Sequence, residues 1–272
     1  DFRPVCNTIY RLIEGFELYK SDKHQEELIW LNIEGAELNA VKRKSIKCVD
    51  AGLCSIRHNN IFIMLICNNY HRKRPGHMDQ MHVDLWVDDI NVLCDGGTYS
   101  YVSGIGQQLL SNESHNTVVV EGKKQMSIRP PFMVYNWPKR LMIDVGNSKI
   151  IAESEYKSGY THVRTVKKTN YGYEIVDKVN TLGIERIKIK FHTDCDIEKE
   201  DNRLLLRKNE NVVCVFVSSG IINIEDSVSS LYYFRIKSTN SITVLSDSCK
   251  EIITQIIILK NTESNDVITS SK

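Results

Sequence analysis

The spacing of apolar residues changes near residue 45 and divides the chain into a helical part and a strand-rich part. Within residues 1–44, apolar side chains recur every three or four positions, which is the period of an amphipathic helix. The stripe of this first predicted helix comprises Val5, Ile9, Leu12, Ile13 and Phe16.

A second helix is predicted after the polar break at residues 20–22. Asp22 and Gln25 resemble a capping box at its start. The pattern continues, weakened by Gly35, towards Ala40. Two helices cannot bury both of their faces alone, so we expect the end of a larger helical domain or an arm that packs on a sheet. The apolar positions of the second helix are Leu28, Ile29, Leu31 and Ile33.

Short strands at regular intervals are predicted from residue 46 onward. The runs are rich in β-branched residues and are bounded by Gly, Asn, Asp and Ser. We expect strands at 61–68, 81–87, 91–94, 117–121, 149–155, 161–167, 173–179, 186–192, 203–207, 212–217, 230–236, 242–245 and 252–259. This pattern favours a mainly β fold, a large antiparallel β-sandwich over residues 45–260. The polar residues 261–272 are expected to be a frayed tail.

Composition and charge narrow the function classes only slightly. A chain of 272 residues can bury one large core or two modest ones. Its net charge of +1 gives no reason to expect a nucleic acid or an anionic membrane as partner. No apolar run approaches the about 20 residues of a membrane span. The chain opens at Asp1 without a signal-peptide pattern, so we expect a fragment or a processed piece.

Eight cysteines are scattered along the chain without a Cys-x-x-Cys pair. Most lie within apolar runs, where a free cysteine behaves as a small buried hydrophobe. We therefore expect reduced, buried thiols rather than a disulfide framework. The cellular compartment stays undecided on this evidence.

Three potential metal ligands stand at the edges of predicted strands: His77, Asp95 and His115. Two imidazoles and one carboxylate can hold a divalent transition metal and leave one coordination position open. No local spacing rule forces the grouping. Taken singly, each residue is more often a turn-stabilising or hydrogen-bonded group than a ligand.

The predicted strand at 81–87 has two different faces. Met81, Val83, Leu85 and Val87 alternate onto one face and are expected in the core. The other face combines an aromatic ring with polar groups, which can hold a sugar by stacking and hydrogen bonding. The alternative is a half-exposed strand whose Trp86 packs under a loop. The residues of this second face are His82, Asp84, Trp86 and Asp88.

Three blocks in this region resemble the C-terminal β-sandwich domain of the heparinase II/III-like polysaccharide lyases. They read R-P-G-H-M-D-Q-M-H-V-D-L-W at 74–86, D-G-G-T-Y-S-Y at 95–101 and H-N-T-V-V-V-E-G-K-K-Q at 115–125. The nearest branch reads R-P-x-H-A-D-Q-L-H-x-D-L-W in the first block. Several blocks in order are a more specific signal than any one of them. A second polar alternation, Tyr160, His162 and Arg164, lies outside the blocks.

The resemblance implies a mainly structural metal, most often zinc, held by His77, Asp95 and His115. It implies that this metal braces the floor of the substrate cleft. Asp79 and Gln80 would then orient a ligand imidazole or the neighbouring backbone; local turn capping is an equal alternative. Three departures stand out: Pro75 where many members have an active-site His, although the nearest branch commonly has Pro there, Gly96 in the D-P-G block, and Glu121 for Asp.

The implied substrate is an acidic polysaccharide that contains uronic acid. A cation near the site can pair with its carboxylates or sulfates, and a tyrosine can exchange a proton when its pKa is lowered. Each candidate has a plain alternative, a solvated loop for the basic run at 72–74 and packing for the tyrosines. The candidate substrate-binding residues are Arg74, His82, Trp86, Tyr99 and Tyr101.

The activity implied by the resemblance is β-elimination, with the carboxylate-neutralising groups and the principal tyrosine supplied by an N-terminal α/α toroid. Residues 1–44 would be only the end of that toroid. We therefore expect the C-terminal portion of a lyase-like protein that carries the metal but an incomplete catalytic set, whose catalytic residues stay unassigned. Its partner would be the N-terminal helical domain of the same protein. A periplasmic or cell-envelope location follows from the resemblance alone.

Two other function classes stay open. One is a non-catalytic carbohydrate-binding or polysaccharide-assembly protein that retains the sandwich; Pro75 and the lack of room for a toroid favour it. The other is a cupin-like metalloenzyme, which needs a close His-x-His pair. His77 and His82 are too far apart for that, so this class ranks last.

Overall fold

The computed structural model describes residues 3–19, 25–39, 44–69, 76–129, 133–183, 185–246 and 251–259. They divide into two compact units, with the boundary between Lys44 and Ser45. None of the described helices is both long enough and apolar enough to cross a membrane.

The first unit contains α1 (Arg3–Glu14) and α2 (Glu26–Trp30). The first predicted helix is confirmed. Its apolar stripe, however, is largely exposed among the described residues, and the buried positions of α1 are Asn7 and Thr8. The exposed stripe comprises Val5, Ile9, Leu12, Ile13 and Phe16.

The second predicted helix is wrong in its extent, because α2 ends at Trp30. Asn32 adopts a φ of +52°, its N–H donates to Ile29 (3.0 Å), and the N–H of Ile33 donates to Leu28 (2.8 Å). These two bonds and the left-handed residue form a Schellman motif, which satisfies the last carbonyls and stops the helix. Gln25 is the N-cap without a side-chain capping bond, and Asp22 lies outside the described residues.

The second unit is built from strands. In chain order they are β1 (Lys47–Cys48), β2 (Leu53–His58), β3 (Ile61–Ile66), β4 (Val83–Val87), β5 (Ile90–Leu93), β6 (Val118–Val120), β7 (Ser127–Arg129), β8 (Met133–Tyr135), β9 (Lys139–Val145), β10 (Lys149–Tyr156), β11 (Tyr160–Lys168), β12 (Gly172–Thr181), β13 (Ile187–Thr193), β14 (Asp196–Glu200), β15 (Arg203–Lys208), β16 (Asn211–Ser218), β17 (Ile221–Tyr232), β18 (Arg235–Ser246) and β19 (Glu251–Ile258). Helix α3 (Gly104–Leu109) and a 3₁₀ helix (Asn112–Ser114) lie between β5 and β6.

Three larger antiparallel sheets form the sandwich. One has five strands in the order β1-β2-β3-β4-β5, and one has eight in the order β14-β15-β16-β19-β12-β11-β10-β9. The third has the order β17-β18-β13-β6, and β7 pairs with β8 separately. The N–H of Cys94 donates to the carbonyl of His192 (2.9 Å), which links the five-stranded and four-stranded sheets.

The core lies where the inward faces of the three larger sheets meet. Alternate residues of β10, β11 and β12 are buried, as expected for sheets with one face in a core. The buried cluster draws on every large sheet, with members such as Ile63, Leu85, Ile175, Phe191 and Val244. The predicted antiparallel β-sandwich is thereby confirmed.

Several strand predictions need correction. The predicted strand at 230–236 is wrong, because the turn between β17 and β18 falls inside it, with Tyr232 paired to Arg235. The predicted ranges also leave out β1, β2, β7, β8, β9 and β14, and most of β17. Of these, β9 and β14 are the two edge strands of the eight-stranded sheet. An edge strand has a neighbouring strand on one side only, so polar residues are favoured there.

The seven described cysteines are all free. Five are buried as expected, whereas Cys6 and Cys48 are exposed, and Cys249 lies outside the described residues. Burial raises the pKa of the Cys67 thiol to about 11, so this side chain packs as an uncharged hydrophobe.

Candidate metal centre

Three loops of the sandwich bring together the three predicted metal ligands. His77 lies before β4, Asp95 follows β5, and His115 follows the 3₁₀ helix and precedes β6. One ligand atom from each residue lies within 4.8 Å of the other two. The three positions are far apart in sequence, so the grouping arises from the strand order and not from a local motif.

His115 and Asp95 make the closest contact of the cluster. Nδ1 of His115 lies 2.7 Å from Oδ2 of Asp95, and Oδ1 of Asp95 accepts the N–H of Gly97 at 2.6 Å. The ring of His77 lies 5.2 Å from that of His115, and its Nε2 is 3.4 Å from Oγ1 of Thr98. Both Asp95 oxygens are thereby oriented by protein groups.

The residues fit a divalent metal ion. His115 is fully buried, yet its Nε2 has no hydrogen-bond partner among the described residues. An unsatisfied buried polar atom costs about 1–3 kcal/mol. Two imidazoles and a carboxylate are donors that suit zinc and related transition metals. A bound cation would use these donors, and the cluster could therefore hold one.

Electrostatics in the cluster favour the metal-binding protonation states of Asp95 and His77 but keep a proton on His115. Burial opposes the ionisation of Asp95, but the charge and hydrogen bond of His115 hold the pKa of Asp95 well below its usual range. Burial and the neighbouring His115 lower the pKa of His77. Against the effect of burial, Asp95 raises the pKa of His115. A metal would therefore displace a proton from the His115–Asp95 pair.

His82, a candidate substrate-binding residue, lies buried beside the cluster. Its ring packs edge-on against His115 at 5.7 Å, and its Nδ1 accepts the N–H of Asn116 at 3.0 Å. Burial lowers its pKa to about 3, so the ring is neutral near pH 7. A ring in this position contacts protein groups, and direct contact with a saccharide would require the surrounding loops to move.

Asn116 connects three strands behind the cluster. Its Nδ2 donates to the carbonyls of Val83 (2.8 Å) and Cys94 (3.0 Å), and its Oδ1 accepts the N–H of His192 (2.6 Å). The Asn116 side chain is fully buried, and both the nitrogen and the oxygen of its amide are hydrogen-bonded. It therefore fixes the chain that carries His115 against β4, β5 and β13.

A buried ion pair lies behind the same loops. Arg164 on β11 and Asp177 on β12 are directly opposite residues, and Nη1 of Arg164 donates to the carbonyls of Met81 (2.5 Å) and Asn116 (2.6 Å). His162 also contacts Asp177, with Nε2 2.6 Å from Oδ1. Arg164 thus holds the main chain next to both His82 and His115.

Gln80 and Asp79 differ in how deeply their side chains are buried. The Gln80 side chain is buried and bonds to the main chain of Asn68 (3.0 and 3.1 Å) and to Oγ of Ser154 (2.8 Å). Its own carbonyl accepts from Thr117 and Gln125. Asp79 is half-buried, and its main-chain carbonyl accepts the N–H of His82. The hydrogen bonds of the Gln80 side chain therefore reach the Asn68 main chain and the Ser154 hydroxyl.

The remaining substrate-binding candidates lie in different places. Tyr99 is half-buried with a φ of +56°, and Tyr101 is exposed, both just after the Asp95 turn. Trp86 is partly buried and stacks on Phe62 with nearly parallel rings 6.3 Å apart. Arg74 lies outside the described residues, as does Pro75. The substrate-binding role of all of these residues stays a prediction.

Sequence reasoning assigned no role to Asn116, Gln125, Asp177 and His192, and gave Arg164 little weight. Asn116 and Gln125 stand inside the third matching block, so their position was a usable signal. Asp177 carried another signal, because it falls on the inward side of an alternating strand. An acid and a base facing inward on neighbouring predicted strands indicate a buried pair.

Comparison with known proteins agrees with this architecture. The chain matches the family described as Heparinase II/III-like, C-terminal, over residues 40–268. It is similar to a solved heparinase III gene product, with a TM-score of 0.71, 14% identity, and coverage of 95% of this chain and 42% of that one. No significant match was found among curated protein sequences.

A second similar structure is the heparan sulfate lyase HepC from Pedobacter heparinus, with a TM-score of 0.69, 13% identity, and coverage of 97% of this chain and 42% of that one. At such low identity the likeness shows the fold alone. The chain spans about two fifths of the length of both solved structures. Because the family match extends over most of its residues, the chain belongs to the heparinase II/III-like C-terminal family.

Proposed function

We propose that this chain is the metal-containing β-sandwich portion of a polysaccharide lyase that cleaves uronic-acid-containing polysaccharide by β-elimination. The observation that carries the proposal is the meeting of His77, Asp95 and His115, from three separate loops, within 4.8 Å. These are the residues that the family resemblance assigns to the metal. The two solved structures named above, a heparinase III and a heparan sulfate lyase, support an acidic polysaccharide as the substrate class.

The proposed metal is zinc, held by His77, Asp95 and His115. When bound, it would cross-link three loops and add positive charge at the floor of the cleft. The protein's own part is to orient these ligands: Gly97 fixes the Asp95 carboxylate, and Asn116 with Arg164 fixes the chain beside His115. The surrounding hydrogen bonds thus preorganise the ligands.

β-Elimination requires a base that removes the proton next to the uronate carboxylate and an acid that protonates the leaving glycosidic oxygen. Neutralising the carboxylate stabilises the carbanion-like transition state. Pro75 stands where many family members have a catalytic His, so we assign no catalytic residue in this chain. The missing groups are proposed to come from an N-terminal helical domain. The exposed apolar stripe of α1 supports such a partner.

A non-catalytic carbohydrate-binding or polysaccharide-assembly protein is the second candidate. One observation favours it: Pro75 removes an imidazole from a position that catalytic relatives use. Such a protein would retain the sandwich and the metal while binding the polysaccharide without breaking it.

The test uses the protein expressed from its complete gene. It is incubated with heparan sulfate, hyaluronan, alginate and a neutral glucan, and the ultraviolet absorbance of the new carbon–carbon double bond is followed. The lyase proposal expects product from at least one uronate polymer and none from the glucan. The His58→Ala variant, an exposed histidine outside the cluster, should keep the activity, whereas Asp95→Asn should reduce it. Binding without a double bond would support the non-catalytic candidate and contradict the lyase.

A further inference from the structure

The hairpin formed by β17 and β18 exposes an aromatic turn. Tyr232, Tyr233 and Phe234 follow one another at the tip and are 69%, 57% and 60% exposed. Leu231 before them is exposed as well. Burying an aromatic or aliphatic side chain of this size is worth about 1.5–3 kcal/mol. Consecutive exposed rings are therefore a costly surface, and such patches mark binding sites.

This turn is attached to the loop that carries the metal ligand Asp95. The N–H of Ser230 donates to the carbonyl of Gly96 (2.8 Å), and the N–H of Phe234 donates to the carbonyl of Tyr99 (3.0 Å). The two chains approach so closely that a Cβ on Gly97 would lie 2.0 Å from the carbonyl oxygen of Ser230. The aromatic turn and the Asp95 loop therefore form one connected surface.

The rings of this surface contact one another. Phe234 packs edge-on against Tyr99 at 5.4 Å and against Tyr233 at 4.5 Å. Phe234 and Tyr99 both adopt left-handed backbone angles, with φ of +58° and +56°. This conformation costs about 1–2 kcal/mol for a residue with a side chain. Strained residues of this kind cluster at ligand-binding sites.

Arg235 supplies a cation in the same turn, directly opposite Tyr232 in the β17–β18 pairing. Arg235 is exposed at the first position of β18 and makes no ion pair with the residues that the structure describes. The next basic residue on the strand, Lys237, is instead paired with Asp194. A guanidinium on the same turn as several exposed rings suits a ligand that has both apolar faces and negative charge.

We propose that Tyr99, Tyr232, Tyr233, Phe234 and Arg235, called the aromatic platform here, bind pyranose rings of an acidic polysaccharide. The C–H faces of the sugars would stack on the rings, and Arg235 would pair with a carboxylate or sulfate. The inference rests on the proposed function, and it adds a binding surface on the β17–β18 turn. The position beside the Asp95 loop would lead the polysaccharide across the metal centre.

The test measures binding of size-defined heparan sulfate and hyaluronan oligosaccharides to the full chain by calorimetry. The double variant Tyr232→Ala/Tyr233→Ala removes two exposed rings from the tip. The matched control is Tyr171→Ala, which removes an equally exposed tyrosine, 74% exposed, from the turn between β11 and β12. We expect the double variant to bind at least one oligosaccharide on the order of tenfold more weakly, with the control unchanged. The Arg235→Gln variant should reduce the salt dependence of binding.

Metal content is measured on the same samples, so that the two proposals are judged separately. Unchanged metal with weakened oligosaccharide binding in the double variant supports the aromatic platform. Unchanged binding in the double variant overturns it, and the turn would then cover another surface, such as that of a helical domain. Failure of the unmodified chain to bind either oligosaccharide also overturns it, whereas the metal centre and lyase activity are decided by their own assays.

Discussion

Arg164 and Asp177 form a bidentate ion pair that is buried behind the His77–Asp95–His115 cluster. Nε and Nη2 of Arg164 donate to the two carboxylate oxygens of Asp177 at 2.6 and 3.0 Å. The remaining nitrogen, Nη1, donates to the carbonyls of Met81 and Asn116. The pair therefore connects the eight-stranded sheet to the main chain beside His115, one of the proposed metal ligands.

Replacing Arg164 should weaken both the fold and the metal centre. Arg164→Met leaves the Asp177 charge buried without its partner, and losing one member of such a pair costs about 3–5 kcal/mol of unfolding free energy. The double variant Arg164→Met/Asp177→Leu removes both charges and should regain much of that stability. It should nonetheless bind metal more weakly, because the carbonyls of Met81 and Asn116 have lost their donor. Urea unfolding and a zinc titration measure the two effects, and full metal affinity in the double variant would show that Arg164 has no positioning role.

The same pair should make stability depend on pH in the acid range. Burial would raise the pKa of Asp177, but the charge of Arg164 and its hydrogen bonds, with those of His162, hold that pKa below its usual value. A carboxylate whose folded pKa is depressed stabilises the fold above its unfolded pKa of about 3.9 and loses that contribution as the pH falls towards the folded pKa.

Asp177→Asn should therefore be less stable than the unmodified chain by a constant amount between about pH 5 and 8. Below about pH 4 the difference in unfolding free energy should shrink. Chemical unfolding of both proteins at a series of pH values measures this difference. A gap that stays constant from pH 7 to pH 2 would contradict the assigned role of the Asp177 charge.

Gly97 should be intolerant of any side chain. It has a φ of +77°, and an added Cβ would meet the Ser230 carbonyl at 2.0 Å, while its N–H donates to Asp95. Gly97→Ala should cost more than about 2 kcal/mol and lower the metal affinity, since the Asp95 loop must move. The control is Gly122→Ala, which has a φ of +71° but open space around the new Cβ and should cost only about 1 kcal/mol. Thermal unfolding with and without zinc compares the two variants, and equal losses would argue against the close approach.

The sequence predicted the sandwich because inward and outward residues alternate regularly in strands such as β10 and β11. It did not predict where chain direction reverses without Gly or Pro. Asn32 ends α2 and Phe234 makes the β17–β18 turn, each through a left-handed φ, which asparagine adopts more readily than most residues but a bulky phenylalanine rarely does. Both reversals depend on hydrogen bonds with neighbouring chain.

The residues of the candidate site were likewise only partly predictable from the sequence. His77, Asp95 and His115 were predicted because each stands at a strand edge within a matching block, and the structure brings them together. The pair Arg164–Asp177 was missed because it depends on the register between β11 and β12, which places the two residues opposite each other. Local patterns identify ligands on loops more readily than supports on neighbouring strands.

Metal analysis by mass spectrometry can decide whether His77, Asp95 and His115 together hold one metal ion. The full chain is loaded with zinc, dialysed and analysed beside His77→Ala, Asp95→Ala, His115→Ala and the control His58→Ala, whose histidine is exposed outside the cluster. We predict close to one zinc per chain in the unmodified protein and in the control, and loss of the metal in the other three variants. A metal-free protein whose unfolding is unchanged by zinc, by a chelator and by all three substitutions would contradict the account.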